Sequence, residues 1–193
     1  VRLEAVGLSL PDQEVAVASL SEVGQRLLGR PIDVILGREL FDAARLEIDV
    51  GHRRIRVLPA GEPPRGTRLD LVTEHGVETV PARIEGHPPV RATFDLGNGA
   101  QVLVSRRYAQ ALGLLTDGRA VHREAGGGLG GEAQRQTFVL QSLELAGQRF
   151  TGLAAAIDPQ ESASDLNVGL SVLARFVVTT DFAGKAVWLR PAR

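Results

Sequence analysis

The sequence predicts a mostly β chain with minor helix, organised as one complete lobe preceded by part of a related one. Three observations carry this. Apolar and polar residues alternate in short runs separated by Gly, Pro and charged turns, as in half-buried strands. Stretches with helical period are brief. And the 193-residue chain contains a half-copy of itself, the signature of a repeat architecture.

In chain order the alternating runs are RLDLVT (68–73), ETVPARI (78–84), VRATFD (90–95), QVLVS (101–105), QTFVLQSLEL (136–145), RFTGLAAAI (149–157) and KAVWL (185–189). Helices fit between them. Ser105 is placed to N-cap RRYAQAL, with Gly113 as the residue that ends it. LSVLARF after Gly169 makes about two turns, and Ser21 is placed to cap EVGQRLLG in the first copy.

The half-copy is read from two matches. LSLPDQEV (8–15) and LELAGQRF (143–150) share the pattern L-x-L-x-x-Q-x-apolar, an offset of 135. DVILGRELFDAARLEIDVGHRRIRVLP (33–59) matches DLNVGLSVLARFVVTTDFAGKAVWLRP (165–191), relating Gly37 to Gly169 and Asp49 to Asp181 at an offset of 132. The connection between the matches is thus expected to differ by three residues. Residues from about 68 to 135 have no upstream counterpart, and PAGEPPRGT (59–67) has the composition of a linker. The expected organisation is 1–60 as the C-terminal half of a first lobe, 61–67 as linker and 68–193 as a complete lobe.

Composition narrows the function. Lys and Arg number 22 against 23 Asp and Glu, for a net charge of −1, so no basic footprint for nucleic acid is present. No apolar run approaches the roughly 18 residues of a membrane span. With no cysteine, disulfides and thiolate chemistry are excluded. His52, His75, His87 and His122 are scattered without metal-ligand spacing, and no cofactor is expected. The first residue is Val1 rather than methionine, which leads to the expectation of upstream processing and a periplasmic or secreted location.

One residue stands out. The strand VRATF runs into Asp95 and then L-G-N-G, and burying an unpaired carboxylate costs several kcal/mol. Either Asp95 caps a turn, for which D-L-G-N-G is good chemistry, or the fold holds it there for use. In order, the segment from 68 gives paired strands, an apolar strand ending in D-x-G, a helix, a Gly-rich hairpin, two strands, an apolar-apolar-Gly step, a helix and two strands. That ordered set resembles the retropepsin-like aspartyl protease superfamily, especially its bacterial tandem-lobe members, over 68–193 and as a half-lobe over 1–59.

The resemblance implies an acid-protease (retropepsin/pepsin-like) fold, with Asp95 catalytic and Leu96, Gly97, Asn98 and Gly99 completing the catalytic loop. Gly126, Gly127, Gly128, Gly130 and Gly131 would belong to a flap, and NVG (167–169) would brace the catalytic loop, as ILG (35–37) would in the other lobe. It implies hydrolysis by two carboxylates sharing a proton and a water, the second supplied by another lobe. The expected partners are a polypeptide substrate or peptide ligand, and a second copy of the chain or an N-terminal fragment. The family places Thr or Ser after the aspartate, and Leu96 has no hydroxyl. Two readings follow: an aspartic endopeptidase, or a catalytically impaired protein of the same fold that binds peptide or serves as an interaction module.

Other residues have simpler readings. GGGLGG is not followed by Lys-Ser/Thr, so it is not a phosphate loop. Asp33, Asp165, Asp49 and Asp181 recur at equivalent positions and read as turn or helix caps. Arg106 and Arg107 read as a solvated helix face.

Overall fold

The computed structural model describes residues 1–128, 131–158 and 164–192. Two residues, Val6 and Gly7, both left-handed (φ 46° and 82°), turn β1 (Leu3–Ala5) into β2 (Leu8–Leu10), the geometry that matches strand twist in a tight hairpin. Then come α1 (Ser21–Leu28), α2 (Arg38–Ala43) and the hairpin of β3 (Leu46–Asp49) with β4 (Arg54–Val57). Ser21 is the first helical residue, not the cap. Leu20 occupies that position and no side chain caps α1.

The remainder is mostly strand: β5 (Thr67–Asp70), β6 (Val72–Glu74), β7 (Val77–Ile84), β8 (Val90–Phe94) and β9 (Val102–Val104). After α3 (Arg106–Ala111) follow β10 (His122–Gly128), β11 (Gly131–Leu145), β12 (Gln148–Ile157) and β13 (Leu166–Val168). Helix α4 (Leu170–Leu173), one turn where two were expected, leads into β14 (Phe176–Asp181) and β15 (Ala186–Pro191). The run RLDLVT splits between β5 and β6 at Leu71, whose side chain is buried and whose N–H donates to the Lys185 carbonyl.

Eight strands form one sheet in the order β10-β11-β12-β9-β13-β8-β7-β6, and pairing of β11 with β7 at Leu143–Ile84 closes most of it on itself. Its interior holds Val80, Ile84, Ala92, Val102, Leu140, Leu143, Ile157 and Val168, all fully buried. At about 25 cal/mol per Å² of apolar surface, this closed sheet is where most of the hydrophobic stabilisation lies. Before residue 60, the described buried apolar residues are Leu40, Leu46 and Leu58.

A second sheet, β4-β3-β14-β15-β5, joins the two parts of the chain. Its central register pairs Leu46 with Thr180, Glu47 with Thr179 and Ile48 with Val178. Adding the 132-residue offset to Leu46 gives Val178, and to Ile48 gives Thr180, so the pairing maps onto itself about Glu47–Thr179. The flanking hairpins are also built alike. Asp49 accepts from the His52 N–H and Asp181 from the Gly184 N–H, while Arg53 and Lys185 are both left-handed at φ 53° and 50°. Gly37 and Gly169 precede α2 and α4 with φ of −111° and −108°.

The other sequence match needs correction. Leu8 follows its turn whereas Leu143 precedes one. Turn for turn, Val6-Gly7 corresponds to Ala146-Gly147, so LEAVG (3–7) lies opposite LELAG (143–147). That offset is 140, and the connections differ by eight residues rather than three. A period-2 pattern tolerates slippage; the left-handed glycine does not.

The two parts also meet through side chains. Arg38 donates to Glu78 at 2.8 Å, Arg45 to Asp181 at 2.8 Å, and Phe41 stacks on Phe182 with ring centres 5.1 Å apart. Glu78 is buried. Burial pushes its carboxyl up, but hydrogen bonds from Thr73 and Arg38, with the charges of Lys185 and Arg38, hold it below the usual range.

Candidate active site

Strand β13 enters the sheet between β8 and β9, parallel to the first and antiparallel to the second. Its register places Val168 beside Phe94, and the Asp95 N–H donates to the Val168 carbonyl at 3.1 Å. Asp95 is thereby carried one residue past the end of β8, where the chain turns away from the core.

The carboxylate makes a short turn there. Asp95 Oδ1 accepts from the N–H groups of Gly97 at 2.9 Å and Asn98 at 3.1 Å. Its other oxygen, Oδ2, accepts from Asn167 Nδ2 at 2.8 Å. Asn98 Nδ2 donates to Asn167 Oδ1 at 2.8 Å and to the Gln101 carbonyl at 3.1 Å, while Asn98 Oδ1 accepts from the Ala100 N–H at 3.0 Å. Asp95 thus serves as a turn cap and also faces a side-chain network.

Two glycines fit this loop closely. A Cβ on Gly169 would sit 2.2 Å from the Asn98 carbonyl oxygen, which accepts from the Leu170 N–H at 2.7 Å. One on Gly97 would lie 3.2 Å from Asp95 Oδ1, whereas Gly99 faces open space. Leu96 contributes no polar atom, and its side chain is half-buried against the main core.

Beyond β9, Ser105 caps α3 by accepting from the Tyr108 N–H at 3.1 Å, and left-handed Gly113 follows the helix. Asp165 accepts from Ser105 Oγ and, at 2.6 Å, from Arg107 Nη2, so it ties α3 to the β13 approach rather than capping its own turn. Asp33 is exposed. Arg106 and Arg107 are exposed as expected but reach Gln136 and Asp165.

Strands β10 and β11 pair from His122–Thr137 out to Gly128–Gly131, while β12 pairs with β11 from Thr137 onwards. The residues before Thr137 therefore form a two-stranded arm beyond the closed sheet. Gly126, Gly127, Gly128 and Gly131 are in this arm; Gly130 lies outside the described residues. Arg135 crosses Gly126, where a Cβ would come within 2.8 Å of Arg135 Cδ.

Asn167 is the site residue that sequence reading missed. In sequence it stands with Val168 and Gly169 where an apolar-apolar-Gly brace is expected, and Ile35 holds the matching place in ILG. A polar residue in an apolar slot was the available signal. Among the described residues, no group of three or more His, Cys, Asp or Glu is arranged to hold a metal ion, and no helix is long and apolar enough to cross a membrane.

A family model described as aspartyl protease matches residues 80–172, the span from β7 through Asp95 and the arm to α4. No curated protein matches the chain. Among solved structures, the chain is similar to a retropepsin-like aspartic protease from Rickettsia conorii, at 18% identity and a TM-score of 0.49, over 63% of this chain and 87% of that one.

Proposed function

Because a family model described as aspartyl protease matches residues 80–172, we propose that the chain hydrolyses peptide bonds with paired aspartates, one of them Asp95. The observation that carries this reading is the loop geometry: a carboxylate at a strand end, oriented by two backbone N–H groups, in a loop whose Asn98 backbone packs against Gly169, where no side chain fits. Preorganised donors of this kind fix a reacting group without reorganisation during the reaction.

The chemistry needs a second carboxylate. Two such groups about 3 Å apart share one proton, giving an acid and a base at the same pH, and their titration belongs to the pair. Water adds to the scissile carbonyl carbon, passing its proton to the ionised carboxylate, while the protonated partner donates to the carbonyl oxygen. The tetrahedral species collapses as the newly protonated carboxyl gives its proton to the amide nitrogen, the newly ionised one takes a proton from a hydroxyl of the diol, and the C–N bond breaks. The arm of β10 and β11 offers backbone edges to an extended substrate.

Support for where the second aspartate comes from lies in residues 34–36. In the complete half, Leu166 and Val168 are 1% and 0% exposed between β8 and β9. At the matching positions Val34 is 65% and Leu36 38% exposed, and that segment is not in a strand. A strand ending in its own D-x-G, from an N-terminal fragment, would cover this surface and bring a carboxylate towards Asp95; in a second copy the corresponding strand, β8, is already paired on both edges by β7 and β13.

The test is cleavage of a peptide library in acid and near-neutral solution. Activity should resist serine, cysteine and metal inhibitors and vanish in Asp95→Asn while the fold persists; undiminished cleavage by that variant sinks the assignment. One observation favours a second reading, in which the chain binds peptide without cutting it: Leu96 lacks the hydroxyl the family uses. Saturable peptide binding with no cleavage by the fully assembled protein would select it.

A further inference from the structure

The donor directions around Asp95 are set by the backbone. The Ala100 N–H lies beside one end of the Asn98 amide and the Gln101 carbonyl beside the other, so Asn98 presents Oδ1 to the first and Nδ2 to the second. The other hydrogen of Asn98 Nδ2 then points at Asn167, which must answer with Oδ1. That leaves Asn167 Nδ2 facing Asp95 Oδ2. The orientation of both amides follows from backbone groups that cannot reverse their roles.

A carboxylate offers about four acceptor positions. Gly97 and Asn98 N–H groups occupy two on Oδ1, and Asn167 occupies one on Oδ2. The remaining position is on Oδ2, beside the Asn167 amide.

We propose that Asn167 is the positioning residue of the Asp95 half-site: with Asn98 it forms an amide relay that locks the carboxylate from within its own lobe and leaves one Oδ2 lone pair for the shared water and proton. This inference rests on the peptidase reading for its consequence in catalysis, but not for the relay itself. The relay gives the aspartate a brace from an amide of its own lobe where Leu96 supplies no hydroxyl.

Asn167→Asp is the informative variant. It keeps the volume and the acceptor for Asn98 but removes the donor, setting a second carboxylate about 2.8 Å from Asp95. Near neutral pH, kcat should fall on the order of 10²-fold with KM little changed, and the deficit should shrink in acid, where the two carboxylates share a proton. Thermal unfolding of the whole chain is read alongside. The variant's Tm should lie roughly 5 °C below wild type at pH 7, with the gap closing towards pH 4. A space-filling role for Asn167 would leave both profiles parallel to wild type, and that result overturns the proposal. If the wild-type protein cleaves nothing, the peptidase reading fails while the pH-dependent Tm gap still decides the relay.

Discussion

The tripeptides 35–37 and 167–169 occupy the same place in two segments built on one backbone plan, yet only the second is enclosed. Both lead through a glycine of nearly equal φ into a short helix, then into a strand closed by an aspartate that caps its own turn. Ile35 is 50% exposed; Asn167 lies inside a sheet and holds a carboxylate. Backbone plan is thus a local property, written by glycine and aspartate positions. Burial depends on partner strands distant in the chain, and so does the chemistry that burial makes possible.

The largest difference is expected when a charge is placed in each tripeptide. Val168→Asp buries a carboxylate with no partner in the core and should cost more than about 4 kcal/mol, enough to abolish cooperative unfolding by circular dichroism. Leu36→Asp should leave the fold intact but prevent the association proposed above, read by sedimentation. A Leu36→Asp protein that still associates removes residues 34–36 from the interface.

Next in size are the glycines. Gly169→Ala forces a Cβ into the Asn98 backbone and should cost about 2–3 kcal/mol in chemical denaturation. Gly37→Ala meets only the mobile end of Glu39, at 3.2 Å, and should stay within about 1 kcal/mol of wild type. Equal losses at the two positions would mean that the two loops are enclosed alike.

The smallest effect concerns the contact between the segments. Glu78, reached by Arg38 of α2 and Lys185 of the β14–β15 turn, has its pKa held below the model-compound 4.5. The unfolded chain therefore binds this proton more readily. Its stabilising contribution is present above about pH 4.5 and lost as pH falls through the lower folded value. Stability measured from pH 7 down to 3 should fall more steeply for wild type than for Glu78→Gln; identical slopes would take Glu78 out of the acid response.

Much of this was readable from residue pattern. The alternation in 78–84, 136–145 and 149–157 located β7, β11 and β12, and the Ser105 and Gly113 pair bounded α3 because caps are local. The equal Gly-to-Asp spacing found the two similar hairpins. What escaped was non-local. The Asn167–Asp95 bond spans 72 residues and exists only because β13 enters between β8 and β9. The slipped match at Leu8 failed because alternation alone has no unique register. Ser21 lost its cap role because the chain places it inside the first turn.

The insertion of β13 also sets the order in which the site can come into being. Strand β8 and Asp95 leave the ribosome 72 residues ahead of Asn167, an interval of roughly 4–15 s at ordinary translation rates. During that time Asp95 has its own turn but neither its amide donor nor the strand that encloses it. Closing so long a loop is slow compared with forming hairpins. The carboxylate therefore cannot reach its working position until β13 has been made, and β8 exists before it holds a complete half-site.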